Sequence, residues 1–242
     1  MALFMTKKID SEGKYLTFPG VTVVSAIKET DKPLWQLIYE TLKKNKAFTD
    51  HFTPLPYKSY HLTAINLYTK DAIKSGEWQN FIISNSAFFQ ALNDLLTEKS
   101  FTPVVTVESI NMTGALQIIV TLPEEQIRII QQVAKTYRVE ENIPSVFHIT
   151  LAYQFRFMEQ RALEKLAFKL KQNIFAILQS HEGQLSLTPP QLCFFNNMTK
   201  FTPWSGDGYP FPENVVGSNT FFSRAEASQK VTVSPPRGCT VM

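Results

Sequence analysis

Hydrophobic periodicity divides the stretch from residue 20 to residue 200 into two successive runs of the same order: strand, helix, strand, helix, strand. In the first run, a β-branched segment over 21–27 follows Pro19-Gly20 and predicts a strand. Asp31 then caps a helix with Pro33 in its first turn, and Leu34, Leu37, Ile38, Thr41 and Leu42 form its apolar stripe. A strand over 59–68, a helix over 86–99 facing inward through Phe88, Leu92, Leu95 and Leu96, and a strand over 104–110 complete the cycle. The turn Asn111-Met112-Thr113-Gly114 leads into the second cycle: a strand over 115–122, a helix from Pro123 to about residue 137, and a strand over 146–155. A long helix over 158–180, carrying Leu163, Leu166, Leu170, Ile174 and Leu178, and short strands at 185–187 and 191–196 end it. A duplicated α/β chain brings equivalent points of its halves together across a pseudo-twofold axis. The expected lobes are about 20–112 and 113–200, and whatever is special in the middle strand of each converges on one cleft.

Those middle strands carry two of the four histidines, in matching settings: Tyr60-His61-Leu62-Thr63-Ala64 and Phe147-His148-Ile149-Thr150-Leu151. Residues two apart on a strand face the same side. His61 and Thr63 therefore share a face, as do His148 and Thr150, while Leu62 and Ile149 point into the apolar layer. Phosphodiester cleavage suits this arrangement. An attacking oxygen loses a proton while the departing oxygen gains one, and two imidazoles can serve as base and acid near neutrality. The threonine hydroxyls can donate to the non-bridging phosphate oxygens. His51-Phe52-Thr53 has the same spacing, but Pro54 and Pro56 follow it, so it is expected to be loop. By strand parity Gln154 and Arg156 lie on the His148 face, which makes Arg156 a candidate substrate contact. Tyr60 and Tyr153 fall on the opposite parity and are expected in the core unless a bulge turns one of them.

Composition narrows the alternatives. Of 242 residues 44% are hydrophobic and 19% charged, and 19 Phe stand against 9 Gly, as in a globular chain with a well-filled core. A net charge of +3, with no basic cluster longer than Lys7-Lys8 or Lys43-Lys44, fits a small phosphate ester better than a long polyanion. No His-Glu-x-x-His, Cys/His cluster or aspartate-rich loop predicts a metal site, and no cofactor motif occurs. The two cysteines give no disulfide framework, and neither a signal peptide nor a bilayer-spanning run is visible. The expected setting is cytoplasmic, and the expected state a monomer.

The stretches Lys8-Ile9-Asp10-Ser11-Glu12-Gly13-Lys14-Tyr15-Leu16-Thr17-Phe18-Pro19-Gly20, Ser59-Tyr60-His61-Leu62-Thr63 and Phe147-His148-Ile149-Thr150-Leu151-Ala152-Tyr153 together resemble an uncharacterised branch of the 2H phosphoesterase superfamily. That superfamily includes bacterial RNA 2',5'-ligase-like proteins, cyclic nucleotide phosphodiesterases and 2',5'-oligoadenylate phosphodiesterases. The resemblance covers about residues 8–204. It implies an α/β (α+β) fold, with antiparallel-rich sheets around a central cleft and helices outside. It also implies His61 and His148 as the acid/base pair, Thr63 and Thr150 as phosphate holders, and a nucleotide or RNA-end phosphodiester, 2',3'-cyclic or 2',5'-linked, as substrate. Which histidine is the base stays open. A non-catalytic nucleotide-binding module is the alternative.

From residue 205 the chain turns rich in Gly, Pro, Ser and Asn and reads as a flexible tail. Cys239-Thr240-Val241-Met242 fits a Cys-a-a-X box, with Met in last place favouring farnesyl on Cys239. The expectation is modification by a host prenyltransferase and contact with a membrane surface, as in a bacterial effector or a membrane-tethered interaction protein. One prenyl chain alone anchors only weakly.

Overall fold

The computed structural model describes residues 8–74, 76–179, 184–206 and 209–211. His181 and Cys239 with its Cys-a-a-X box lie outside the described residues. Each predicted cycle appears. The first comprises β1 (Gly20–Ala26), α1 (Lys32–Lys44), β3 (His61–Thr69), α4 (Ser86–Glu98) and β4 (Val104–Thr113). The second comprises β5 (Ala115–Thr121), α5 (Glu124–Thr136), β6 (His148–Gln154), α6 (Gln160–Gln179) and the short strands β7 (Gln184–Ser186) and β8 (Gln191–Phe195). The short elements α2 (Lys46–Thr49), β2 (Phe52–Pro54), α3 (Trp78–Ser84) and β9 (Thr202–Pro203) fill the connections.

The strands form a 9-stranded sheet in the order β7-β4-β5-β6-β3-β1-β8-β9, with β2 also paired to β6. Every one of its ladders is antiparallel. Read outward from its centre, the order is symmetric: β6-β5-β4-β7 on one side and β3-β1-β8-β9 on the other. The two sides have exchanged strands. β4, made by the first cycle, pairs with β5 of the second, and β8, made by the second, pairs with β1 of the first. Each side of the sheet therefore includes a strand from the other cycle.

The helices present apolar faces to one continuous core. Leu34, Trp35, Ile38 and Leu42 of α1, Phe89, Leu92 and Leu96 of α4, and Leu166, Leu170, Ile174 and Leu178 of α6 are buried there with Leu62, Leu116, Ile118 and Ile149 of the sheet. Leu37, expected in the α1 stripe, is 54% exposed, and Trp35 takes the inward position instead. The segment expected to be loop after His51 is strand β2, in register with β6 from Phe52↔Gln154 to Pro54↔Ala152. Its proline is tolerable because β2 pairs only with β6, as at a sheet edge. Phe52, fully buried and stacked on Phe48 at 5.0 Å between ring centroids, supplies the anchoring contact. α3 escaped the periodicity because its seven residues bury only Trp78 and Ile82.

Leu62 is fully buried where the two central strands meet, so Leu62→Ala removes apolar contacts there and leaves a cavity. The expected loss is about 2–5 kcal/mol of folding free energy, read as a lower urea midpoint with unchanged slope.

Candidate active site

The two central strands meet at one register point, Leu62↔Ile149. Both of these side chains are fully buried, so their strand neighbours face the other way. Continued by one residue each way, the antiparallel register sets His61 across from Thr150 and Thr63 across from His148. The flanking ladders agree, with Ala26↔His61 and Val24↔Thr63 on one side, and Gln117↔Thr150 and Ile119↔His148 on the other. The four polar side chains thus occupy the corners of one patch, with the histidines on a diagonal. Such positions lie about 7–8 Å apart along the backbone.

Each histidine is the first residue of its strand, and each is held in the same way. The Nδ1–H of His61 donates to the carbonyl of Ser59 at 2.7 Å, and that of His148 to the carbonyl of Val146 at 3.1 Å. A carbonyl can only accept, so Nδ1 carries the proton in both rings and Nε2 is left as the free basic nitrogen. The sequence pattern alone does not reveal this shared tether to the residue two places back.

The environments differ. His61 is 8% exposed, and Phe201 packs on its ring at 4.0 Å between centroids. Burial pushes its pKa down to about 4; the bond to Ser59 works against that, while the charges of Lys8 and His148 add to it. His148 is half-buried. Its pKa is also lowered, first by burial and then by Lys8, with the bond to Val146 opposing. Thr63 and Thr150 are half-buried. Gln117 donates from Nε2 to Thr150 Oγ1 at 3.4 Å, which leaves the threonine's own O–H to point elsewhere. Among the described residues, no three His, Cys, Asp or Glu side chains gather to hold a metal ion.

Arg156 does not reach this patch by the expected route. The β5–β6 register shifts so that Leu116 pairs with Ala152 but Gln117 with Thr150, which leaves Leu151 as an extra residue in β6. A bulge of this kind reverses parity beyond it. Tyr153, not Gln154, therefore returns to the Thr150 side. Arg156 falls beyond the end of β6, exposed, with its guanidinium 5.4 Å from the Phe155 ring. Tyr60 is fully buried, as its parity predicts.

Lys8 is the cation whose charge acts on both histidines, and periodicity could not single it out because it lies outside any helix or strand. It comes in on a tight strap. Ile9 bridges to Tyr15, and the Leu16 N–H donates to the Lys8 carbonyl at 3.0 Å. The Asp10 carboxylate accepts from the backbone N–H groups of Glu12 and Lys14, both at 2.9 Å. Thr53 of β2 fastens the strap: its hydroxyl donates to the Gly13 carbonyl at 2.9 Å, and its own carbonyl accepts from the Tyr15 hydroxyl at 2.8 Å. The third His-x-Thr thus places a threonine in scaffolding. Gly13 has φ +83°, and a Cβ there would lie 2.6 Å from Thr53 Oγ1, so only glycine fits the turn.

Residues 8–121 match the model of the 2H-phosphodiesterase family described as a domain of unknown function, DUF1868. Over 220 residues the chain is 24% identical to the uncharacterized protein 127L of invertebrate iridescent virus 6, covering 81% of this chain and 93% of the viral one. A conserved protein of unknown function from Agrobacterium tumefaciens has a similar structure, with a TM-score of 0.61 at 17% identity over 83% of this chain and 90% of that one. Escherichia coli LigT, solved with NADP+, matches at a TM-score of 0.44 and 12% identity over 76% of this chain and 94% of LigT. The segment that matches the 2H-phosphodiesterase family model, residues 8–121, contains the first of the two histidine strands, and the second lies beyond it.

Proposed function

We propose that the protein is a metal-independent phosphodiesterase acting on a nucleotide or RNA-end ester, 2',3'-cyclic or 2',5'-linked. The observation that carries this reading is the paired tether: two histidines on adjoining strands, each with Nδ1–H spent on a backbone carbonyl and Nε2 free. In the proposed reaction a water, or a ribose hydroxyl in the reverse sense, gives its proton to one Nε2 as its oxygen bonds to phosphorus. The opposite P–O bond breaks, and the leaving oxygen takes a proton from the other imidazolium. Thr63 and Thr150 donate to the non-bridging oxygens, where charge builds in the transition state.

Burial supports His61 as the base. A ring whose pKa is pushed down to about 4 is neutral through the physiological range, whereas the less enclosed His148 is the easier to protonate. The competent free enzyme then has His61 neutral and His148 charged. His61 meets this condition above about pH 4. His148 meets it below its own value, which lies under the ordinary 6.5. The kcat/KM profile should therefore be a bell with its maximum on the acid side of neutrality. An optimum above pH 7 would not fit a pair of imidazoles both lowered below 6.5.

Turnover should be assayed on 2',3'-cyclic nucleotides and 2',5'-linked oligoadenylate with EDTA present. His61→Ala and His148→Ala should each lower kcat by roughly 10²–10⁴-fold, and Thr63→Val and Thr150→Val by about 10²–10³-fold. EDTA should leave the wild-type rate unchanged. Tight nucleotide binding without product would indicate a binding module instead.

A further inference from the structure

Lys8 ends in an unusual setting for a lysine. Its ammonium lies 5.5 Å from the ring centroid of Phe18 and 5.2 Å from that of Tyr153, with the Tyr153 hydroxyl 3.4 Å away. No ion pair joins it to a carboxylate among the described residues. Aromatic faces hold a cation without neutralising it, so the full positive charge stays available to a further ligand. The Leu151 bulge brings Tyr153, and with it the ammonium, to the side of β6 that bears His148 and Thr150. The strap that carries Lys8 is pinned at Gly13, Tyr15 and Thr53, so the charge is placed by the fold rather than by a free chain end.

We infer that Lys8 is the anion-recognition residue of the cleft, its ammonium binding a non-bridging oxygen of the ester phosphate that Thr63 and Thr150 also hold. The inference rests on the reading of the cleft as a phosphodiesterase site and adds to it a substrate requirement: the ligand must carry a negative charge at the phosphorus. It also links binding to protonation. The charged or titratable groups acting on His61 are Lys8 and His148, and on His148 it is Lys8. An anion on Lys8 cancels that repulsion, so both imidazoles become easier to protonate once substrate is bound. The charge that attracts the phosphate also adds, after burial, to the lowering of both imidazoles.

The test follows the Hε1 resonances of His61 and His148 through a pH titration of the full chain, with and without inorganic phosphate, in the wild type, Lys8→Met and Lys8→Arg. In the wild type, phosphate should move both midpoints up. In Lys8→Met the midpoints should already be higher without phosphate, should respond little to it, and phosphate should bind at least about ten-fold more weakly. Lys8→Arg should restore most of the binding. Gly13→Ala, which disturbs the strap while leaving the lysine in place, should weaken phosphate binding in the same direction. Equal thermal unfolding of wild type and Lys8→Met separates a lost charge from a lost fold. Unmoved midpoints and unchanged phosphate affinity in a folded Lys8→Met protein would overturn the inference and leave Lys8 as a cover for two rings. Because this readout needs no turnover, it is independent of the histidine-variant assays. Failure there with success here would leave an anion-binding cleft without the proposed chemistry.

Discussion

The pairing of Leu62 with Ile149 fixes everything that happens on the other side of the sheet. Both residues are sealed into the core, and a slip of one position in either strand would turn a histidine and a threonine inward and an apolar side chain out. The cost of burying those polar groups without partners holds the register as firmly as the apolar burial does. Hydrophobic packing on one face is thus what orients the chemistry on the other. The contact is a single point: β2 takes over the same edge of β6 from Ala152 to Gln154, so the two histidine strands part after meeting.

Much of this was legible in the sequence because it depends on local pattern. The order of strands and helices follows from periodicity, and the faces of His61, Thr63, His148 and Thr150 follow from alternation along a strand. What escaped needed information that alternation does not hold. The extra residue at Leu151 reverses parity without any glycine or proline to announce it, so the alternation that sets Arg156 on the His148 face does not carry past it, while Tyr153, expected in the core unless a bulge turns it, is buried beyond that bulge. β2 was hidden by its prolines, since an edge position and a buried phenylalanine outweigh the local breakers. The approach of Lys8 to both histidines, and of Phe201 to His61, joins parts of the chain far apart in sequence, and no spacing rule reaches that far.

The chemistry of the pair comes from small asymmetries laid over a symmetric plan. The same tether two residues back fixes the tautomer of both rings, so neither has to be selected by a separate partner. The rings are told apart by how much water each retains: an aromatic ring covers His61, while His148 stays half open. In the proposed reaction, this difference in desolvation is what would make one of two equal groups the base and the other the acid. The threonines differ in the same modest way, since Thr150 has Gln117 to hold its oxygen.

The exchange of β4 and β8 bears on how the chain reaches this state. β1 precedes the other strands of this sheet in the sequence, and one of its two neighbours is β8, the second-last of them. Contacts of such long range carry a large loop-closure cost and slow the search for the native topology. On a ribosome, the first half can form its helices and its β1–β3 ladder early, but it must wait with an unpaired strand edge until nearly all the rest has emerged. A sheet whose two sides share strands in this way assembles as one unit rather than as two.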